Sequence, residues 1–175
     1  MTALAWGARV SPLFRAKAIS ISNGLRIYPS WLMACIAFET GETFSPSIRN
    51  ASGSGAVGLI QFMPSTAAAL GTSVESLASM SAEDQLSFVA SYFKPWTGRL
   101  HSLGDVYGAI LWPGMIGKQD AAVIFDADDV DHPKFYLQNR GLDLDRNRKI
   151  TKAEIVARVS KELDRGMLPQ NSFEV

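Results

Sequence analysis

The chain has 175 residues, of which 47% are hydrophobic and 19% charged, so the composition excludes a disordered protein. This length is typical of a single domain with a substantial core. The 17 Lys and Arg residues balance 17 Asp and Glu residues. Without an excess of positive charge, the composition gives no support for binding to nucleic acid or to an anionic membrane surface.

Residues that start and stop helices divide most of the chain into short helices. The pair Ser11-Pro12 is typical of a helix start, and Asn23-Gly24 is typical of a helix end. Thr151 and Glu154 form a capping-box pattern, which predicts the start of the last helix. The predicted helices cover residues 12–23, 29–40, 65–70, 81–93, 103–111 and 151–165.

The segments between these helices carry little sign of β structure. Residues 45–60 have turn composition and are predicted as an irregular loop or a short β-hairpin. Segment 120–133 contains four aspartates between residues 126 and 131 and is predicted as an exposed loop, and the residues after Gly166 are predicted to be loose. Because the chain shows no internal repeat and little alternation of apolar and polar residues, the predicted fold class is mainly α with at most a small β element.

Targeting and redox features add three expectations. Cys35 is the only cysteine, which excludes an internal disulfide, and its apolar neighbours predict a core position. No stretch of the sequence is sufficiently apolar and uncharged for a membrane span. The N-terminal segment lacks a basic start followed by an apolar run, so we expect no secretory signal.

Glu39 is the first candidate for a catalytic side chain. It ends the apolar run from Trp31 to Phe38, where desolvation and the negative end of the helix dipole both favour the protonated carboxyl. A raised pKa would suit a general acid that works near neutral pH. From position alone, the alternative is an ordinary exposed glutamate. Glu42 is a competing candidate, which we expect to face solvent beyond Gly41.

Four motifs around Glu39 resemble those of the lytic transglycosylases of the lysozyme superfamily. The two specific ones are Ala37-Phe-Glu-Thr-Gly-x-x-Phe44-Ser-Pro46 and Gly55-Ala-Val-Gly-Leu-Ile-Gln-Phe-Met-Pro64-Ser-Thr-Ala67. Two weaker ones are Tyr92-Phe-Lys-Pro95 and Asp105-Val-Tyr-Gly-Ala109, in which Gly108 stands where the family usually has Asn. The resemblance covers about residues 25–118 and implies a lysozyme-like fold of the goose-type lysozyme or lytic transglycosylase kind.

The resemblance also implies roles for individual residues. Glu39 matches the catalytic acid and base. The residues expected to contact the glycan are Ser54, Gly55, Gly58, Gln61, Phe62 and Tyr107. Among these, Gln61 matches the glutamine that lines the cleft and Tyr107 the tyrosine near the catalytic carboxylate. The two glycines would let the backbone approach a sugar closely, whereas Phe62 fits the core equally well.

The distribution of acids bears on the mechanism. Ordinary glycosidases use two carboxylates, but no acid stands between Glu42 and Glu75. A single-acid mechanism fits better, and the resemblance implies that Glu39 would protonate the oxygen between N-acetylmuramic acid and N-acetylglucosamine and then deprotonate the 6-hydroxyl. The product implied by the resemblance is 1,6-anhydromuramic acid. If water attacks instead, the same site is a muramidase, and a non-catalytic glycan-binding or structural virion component of lysozyme fold is the rival from another class.

Other wall-degrading chemistries lack the necessary residues. A zinc amidase or peptidase needs several clustered His, Cys or Asp ligands, and the two histidines, His101 and His132, have no recognisable ligand spacing. A Cys–His amidase would need an exposed Cys35.

Two sequence motifs in the C-terminal part extend the resemblance to phage and prophage members of the family. Leu111-Trp-Pro and the later Gly141-Leu-Asp-Leu-Asp carry it. The expected partners are bacterial peptidoglycan and phage tail or baseplate proteins. The expected location is the virion tail or, for an endolysin, the host cytoplasm before release to the cell wall. We predict a catalytic domain at 1–118 and a C-terminal extension at 119–175 packed on it.

Residues 143–154 match a calcium-binding loop in register. The ligand positions fall on Asp143, Asp145, Asn147, Lys149 (through its carbonyl) and Glu154. Two features count against tight binding: Arg148 stands where the turn normally needs glycine, and four basic residues outnumber three carboxylates. The alternative is that Thr151 and Glu154 only cap the last helix. Since the predicted chemistry requires no cofactor, a calcium ion here would be structural.

Overall fold

A computed structural model describes residues 3–50 and 53–175, so Met1, Thr2 and two residues of the predicted 45–60 loop lie outside it. The helices are α1 (Pro12–Leu25), α2 (Pro29–Thr40), α3 (Pro64–Ala69), α4 (Val74–Ser79), α5 (Ala82–Phe93), α6 (Leu103–Leu111), α7 (Pro133–Asn139) and α8 (Lys152–Gly166). The strands are β1 (Ala3–Leu4), β2 (Val123–Asp126), β3 (Lys149–Thr151) and β4 (Phe173–Glu174). They form two antiparallel pairs, β1 with β4 and β2 with β3. The prediction of a mainly α fold with a small β element is therefore confirmed.

The helix starts follow the capping chemistry expected from the sequence. The hydroxyls of Ser11, Ser81 and Ser102 each accept a hydrogen bond from the backbone N–H three residues later. Thr151 and Glu154 form the complete capping box at the start of α8. The end of α1 differs from the prediction, because the helix continues through Gly24 and stops where Arg26 adopts the left-handed conformation.

Two segments predicted to lack regular structure have it. The predicted exposed loop at 120–133 contains β2, in which Phe125 is buried and pairs with Ile150 of β3. The predicted loose tail contains β4, which pairs with β1 at the other end of the chain. Helices α4 and α7 were also absent from the prediction. All four elements are short, and both strands depend on partners remote in sequence.

Helix α2 lies at the centre of the core. Every residue from Leu32 to Ala37 is buried, as expected for a helix surrounded by protein on nearly all sides. Helix α8 packs against both α2 and α6, and its residues Ile155 and Val159 belong to the same apolar cluster as α2. Side chains of the predicted extension therefore share this core, while the boundary at residue 118 stays a prediction.

Within residues 3–50 and 53–175, no helix has both the length and the apolar character that a membrane crossing requires.

Candidate active site

Glu39 lies in the last turn of α2, at the point where the buried helix reaches the surface. Its side chain is partly exposed, whereas the preceding Ile36 and Ala37 have no exposed surface. Gly41 ends the helix with φ of 56°, a left-handed conformation that favours glycine. The helix thus places one carboxyl group at the edge of the core with limited access to water.

Burial raises the pKa of Glu39 from 4.5 to about 7, because removing a carboxylate from water disfavours its charged form. A hydrogen bond with the Tyr107 side chain lowers the pKa of Glu39 but only partly offsets burial. A carboxyl group with this pKa is present in both protonation states near neutral pH. It can therefore donate a proton and later accept one, as acid–base catalysis requires.

Two tyrosines lie close enough to Glu39 for its charge to affect them. Tyr107 on α6 is 3% exposed, and its ring packs edge-on against Phe38 with 5.3 Å between centroids. Burial and the Glu39 charge hold the pKa of Tyr107 well above 10, and the same two causes raise the pKa of Tyr92. Both phenols therefore stay protonated. The Tyr92 hydroxyl donates to the Ala109 carbonyl at 2.6 Å.

The structure thus adds Tyr92 to the surroundings of Glu39. In the sequence, this tyrosine belongs only to a weak motif, which predicts no role for it. That motif was the available signal, since nothing in the local sequence shows that the end of α5 approaches the end of α2.

The loop that precedes α3 carries the remaining predicted glycan contacts. Gln61 is half-buried, and its side-chain nitrogen donates to the carbonyls of Gly58 at 3.1 Å and Ile48 at 3.4 Å. Ser54 is exposed and Gly55 is partly exposed with φ of 78°. These described bonds of Gln61 support the shape of its own loop. Ser54, Gly55 and Gln61 all retain some accessible surface.

Phe62 is a core residue, so the prediction that it touches sugar was wrong. Its side chain is 1% exposed and packs edge-on against Tyr92, with 6.2 Å between ring centroids. Residues 57 and 62 also pair through two backbone hydrogen bonds, at 2.8 and 3.1 Å. This pairing holds the Phe62 backbone in the loop while its ring fills the interior.

Gly58 is glycine for a reason other than the predicted approach to a glycan. It is buried with φ of 81°, and a Cβ atom there would lie 2.3 Å from Oε1 of Gln85. The buried Gln85 amide accepts from the Leu59 N–H at 2.7 Å and donates to the carbonyls of Pro46 and Leu77 at 3.0 and 2.8 Å. Gln85 therefore attaches the loop to α4 and α5 by satisfying three backbone groups.

Glu42, the competing acid, forms an ion pair with Arg165 of α8. Its carboxylate pairs with Arg165 at 2.7 Å, and its side chain is 24% exposed, so it faces solvent only in part. Burial and the charge of Glu42 raise the pKa of Glu162, its acidic neighbour on α8. In the part of the chain that the structure describes, no other carboxylate contributes to the pKa shift of Glu39.

A comparison with protein families matches the part of the chain that carries Glu39. Residues 17–96 match the family model of the transglycosylase SLT domain. The SLT segment contains Glu39, the Gly-rich loop and Tyr92, and the mainly α structure with two small sheets is consistent with a lysozyme-like SLT domain. The match supports a peptidoglycan-cleaving function of the lytic transglycosylase type. No curated protein matches the chain significantly.

A groove of about 360 Å³ opens beside the SLT segment, a volume within the range of small-molecule sites. One wall comes from α2 and α6 and consists of Phe38, Tyr107 and Leu111. The other lining residues come from the C-terminal part of the chain and are Gln138, Asn139, Gly141, Leu142 and Arg158. Tyr107 therefore contacts both the Glu39 carboxyl and the groove.

Cys35 and the two histidines are the residues that thiol or zinc chemistry would need. Cys35 is fully buried, and burial raises the pKa of its thiol well above the usual value, so it is a core residue as predicted. His101 is on the surface, and His132 stacks on Phe135 with 4.8 Å between ring centroids. Neither histidine joins a group of three or more metal-ligand residues within the described ranges.

We expect Glu39→Gln to raise the free energy of unfolding above neutral pH. The folded pKa of about 7 lies above the ordinary 4.5, so folding favours the protonated carboxyl. Its contribution is complete below about pH 4.5 and is lost as pH rises to 7, a loss of at most about 3 kcal/mol. Urea unfolding of wild type and variant between pH 5 and 8 measures this difference. Parallel pH curves for the two proteins would contradict the expectation, and the exposed Glu75→Gln serves as the matched control.

Proposed function

We propose that this chain is a lytic transglycosylase that cleaves the β-1,4 bond between N-acetylmuramic acid and N-acetylglucosamine in peptidoglycan. The observation that carries the proposal is the partly buried Glu39 carboxyl at the end of α2, whose pKa burial raises to about 7. It lies within the segment that matches the SLT domain. In the described residues, no other carboxylate contributes to the pKa shift of Glu39, which supports a reaction in which one residue acts as both acid and base.

The proposed reaction moves one proton through Glu39. The protonated carboxyl donates to the glycosidic oxygen as the bond to muramic acid C1 breaks, and the departing N-acetylglucosamine leaves with a free hydroxyl. The substrate's acetamido group stabilises the positive charge at C1. The Glu39 carboxylate then accepts the proton of the muramic acid 6-hydroxyl while that oxygen bonds to C1. The product is a 1,6-anhydro sugar, no water is consumed, and Glu39 ends in its starting state.

Neighbouring residues support each stage of this reaction. The hydrogen bond from Tyr107 stabilises the carboxylate that forms after the first proton transfer. Burial stabilises the protonated form that must exist before it. We propose that Gln61, Ser54 and Gly55 contact the glycan from the loop, and that the groove beside Tyr107 holds part of the substrate.

Mass spectrometry of the soluble products from purified peptidoglycan tests the proposal. A lytic transglycosylase gives muropeptides ending in 1,6-anhydromuramic acid, each lighter by one water than the hydrolytic product. Reducing ends alone would replace the proposed reaction with that of a muramidase. No soluble product from intact, folded protein would favour a non-catalytic glycan-binding or structural component.

We further propose a phage or prophage origin, with residues 1–118 as catalytic domain and 119–175 as an extension packed on it. The sequences of Leu111-Trp-Pro and of residues 141–145 support the phage origin. The contacts of α8 with α2 and α6 support the packing of the extension on the catalytic domain. A tail-associated enzyme would have tail or baseplate proteins as partners, whereas an endolysin would collect in the host cytoplasm. Detection of the chain in purified virions favours the first, and its confinement to the lysate favours the second.

A further inference from the structure

We propose that residues 143–154 bind a calcium ion between α7 and α8, a site separate from the proposed wall-cleaving reaction. Carboxylate oxygens of Asp143, Asp145 and Glu154 lie within 4.8 Å of one another. Such oxygen ligands from a short loop suit a hard divalent cation. Since acidic groups also cluster on surfaces without binding a metal, the cluster needs support from other observations.

The buried oxygen of Asp143 provides that support. Asp143 is the most buried member of the cluster, although the residue as a whole is partly exposed. Its Oδ2 atom accepts hydrogen bonds from the Tyr136 hydroxyl at 2.7 Å and the Arg148 N–H at 3.0 Å. Its Oδ1 atom has no exposed surface and no hydrogen-bond partner. A buried carboxylate oxygen without a partner is costly, and a cation held with Asp145 and Glu154 would supply the missing interaction.

Arg148 makes the turn that normally requires glycine at this position of a calcium loop. Its φ is 71°, the left-handed conformation that the sixth position of a calcium loop needs. The Arg148 N–H reaches the Asp143 carboxylate, while its guanidinium pairs with Asp128 at 2.8 Å. The side chain is thus held by the segment after β2. The first of the two objections to binding is removed.

Pairing outside the loop removes the second objection, which concerned charge. Three of the four basic residues counted against binding are engaged by carboxylates that do not belong to the cluster. Lys149 pairs with Asp126 and Lys152 with Asp105, each at 2.8 Å, and Arg148 pairs with Asp128. The carboxylates of the cluster therefore keep their negative potential for a cation.

Hydrogen bonds within the loop hold Asn147 and Glu154 in place. The Asn147 side-chain oxygen accepts from the Lys149 N–H at 2.8 Å. Glu154 accepts from the Leu144 N–H at 2.8 Å, which links the two ends of the loop. An irregular set of carboxylate, amide and carbonyl oxygens suits calcium better than magnesium, which demands octahedral geometry and keeps its waters. Bound calcium would tie α7 to α8 and raise the melting temperature.

Calorimetric titration of the full chain with CaCl₂, after treatment with a chelator, tests the site. We expect binding of one ion and a higher melting temperature in calcium, both lost in Asp145→Asn and Glu154→Gln. Asp164→Asn is the matched control, because it lies on α8 about 15 Å beyond Glu154 and should bind as wild type does. Circular dichroism verifies that each variant folds, and the exposed Asp145 can be changed without opening the core.

Terbium luminescence gives a second readout, since the Tyr136 hydroxyl contacts Asp143. We expect sensitised emission that calcium displaces and that Asp145→Asn abolishes. The proposal is overturned if wild type shows neither heat nor a change in melting temperature, or if both loop variants still bind. An equal response to MgCl₂ would overturn the assignment to calcium. None of these outcomes depends on peptidoglycan cleavage.

Discussion

Glu39→Gln is expected to reduce peptidoglycan cleavage by at least about 10²–10⁴-fold, the usual contribution of a general acid or base. The amide keeps the size of the carboxyl group and can still accept a hydrogen bond from Tyr107. It can neither donate a proton to the glycosidic oxygen nor take one from the 6-hydroxyl. The rate at which soluble muropeptides appear from purified sacculi measures the loss.

Two comparison variants separate this loss from an effect on folding. Glu42→Gln tests the competing acid and is expected to retain most activity, because Glu42 pairs with Arg165 and not with the site. Glu75→Gln changes an exposed glutamate on α4 and should match wild type. Equal lysis by wild type and Glu39→Gln, or a loss with Glu42→Gln in place of Glu39→Gln, would remove Glu39 from the proposed role.

The expected stability of Glu39→Gln strengthens this test. A group whose pKa is raised by burial destabilises the fold once it ionises, so the variant should be at least as stable as wild type near neutral pH. An inactive but more stable protein cannot be explained by unfolding. Such a trade of stability for reactivity is common at catalytic sites.

Local chemistry explains which elements the sequence could predict. The Ser and Thr caps at Ser11, Ser81, Ser102 and Thr151 act within one turn, so the helix starts could be read directly from spacing. The position of Glu39 at the end of an apolar helix is equally local. Helix α4 carried the same signal, since the Ser73 hydroxyl accepts from the Ser76 N–H, but its six residues gave little periodicity.

Contacts between remote parts of the chain explain what the sequence could not predict. Strand β4 exists because β1 pairs with it from the opposite terminus. Strand β2 has only three apolar residues, Val123 to Phe125, before Asp126 begins the run of aspartates. The burial of Phe62 and the need for glycine at position 58 both depend on α5, through Tyr92 and Gln85. A motif gives residue types but not the partner that decides which side chains face inward.

The position of Tyr107 depends on the C-terminal part of the chain in a similar way. Tyr107 lies on α6, two residues after Asp105, whose carboxylate accepts from the Lys152 ammonium of α8 at 2.8 Å. Asp105 also accepts from the backbone N–H groups of Gly117 at 2.9 Å and His101 at 3.1 Å. Burial alone would raise the pKa of Asp105, but these hydrogen bonds outweigh it and lower the pKa. The Asp105 carboxylate therefore connects α6 to α8 and to the segments just before and just after α6.

Asp105→Asn is expected to lower the free energy of unfolding at pH 7 by about 3–5 kcal/mol, because it leaves the Lys152 charge buried without a counter-ion. Both side chains of the pair are only 5% exposed. Asp84→Asn is the matched control: the Lys17–Asp84 pair is exposed, with 3.8 Å between its atoms, and should contribute less than about 1 kcal/mol. Denaturant unfolding, followed by circular dichroism, measures both changes.

The pH dependence and a double variant show whether the buried charge is the cause. Because the pKa of Asp105 is lowered on folding, its stabilisation is present above the unfolded value near 3.8 and is lost as pH falls toward the folded pKa. The gap between wild type and Asp105→Asn should therefore close only in acid. Adding Lys152→Met to Asp105→Asn should recover much of the lost stability, since the uncompensated charge is gone. If the double variant is no more stable than Asp105→Asn, the loss comes from the backbone groups that Asp105 satisfies, and the ion pair contributes little to holding α6 against α8.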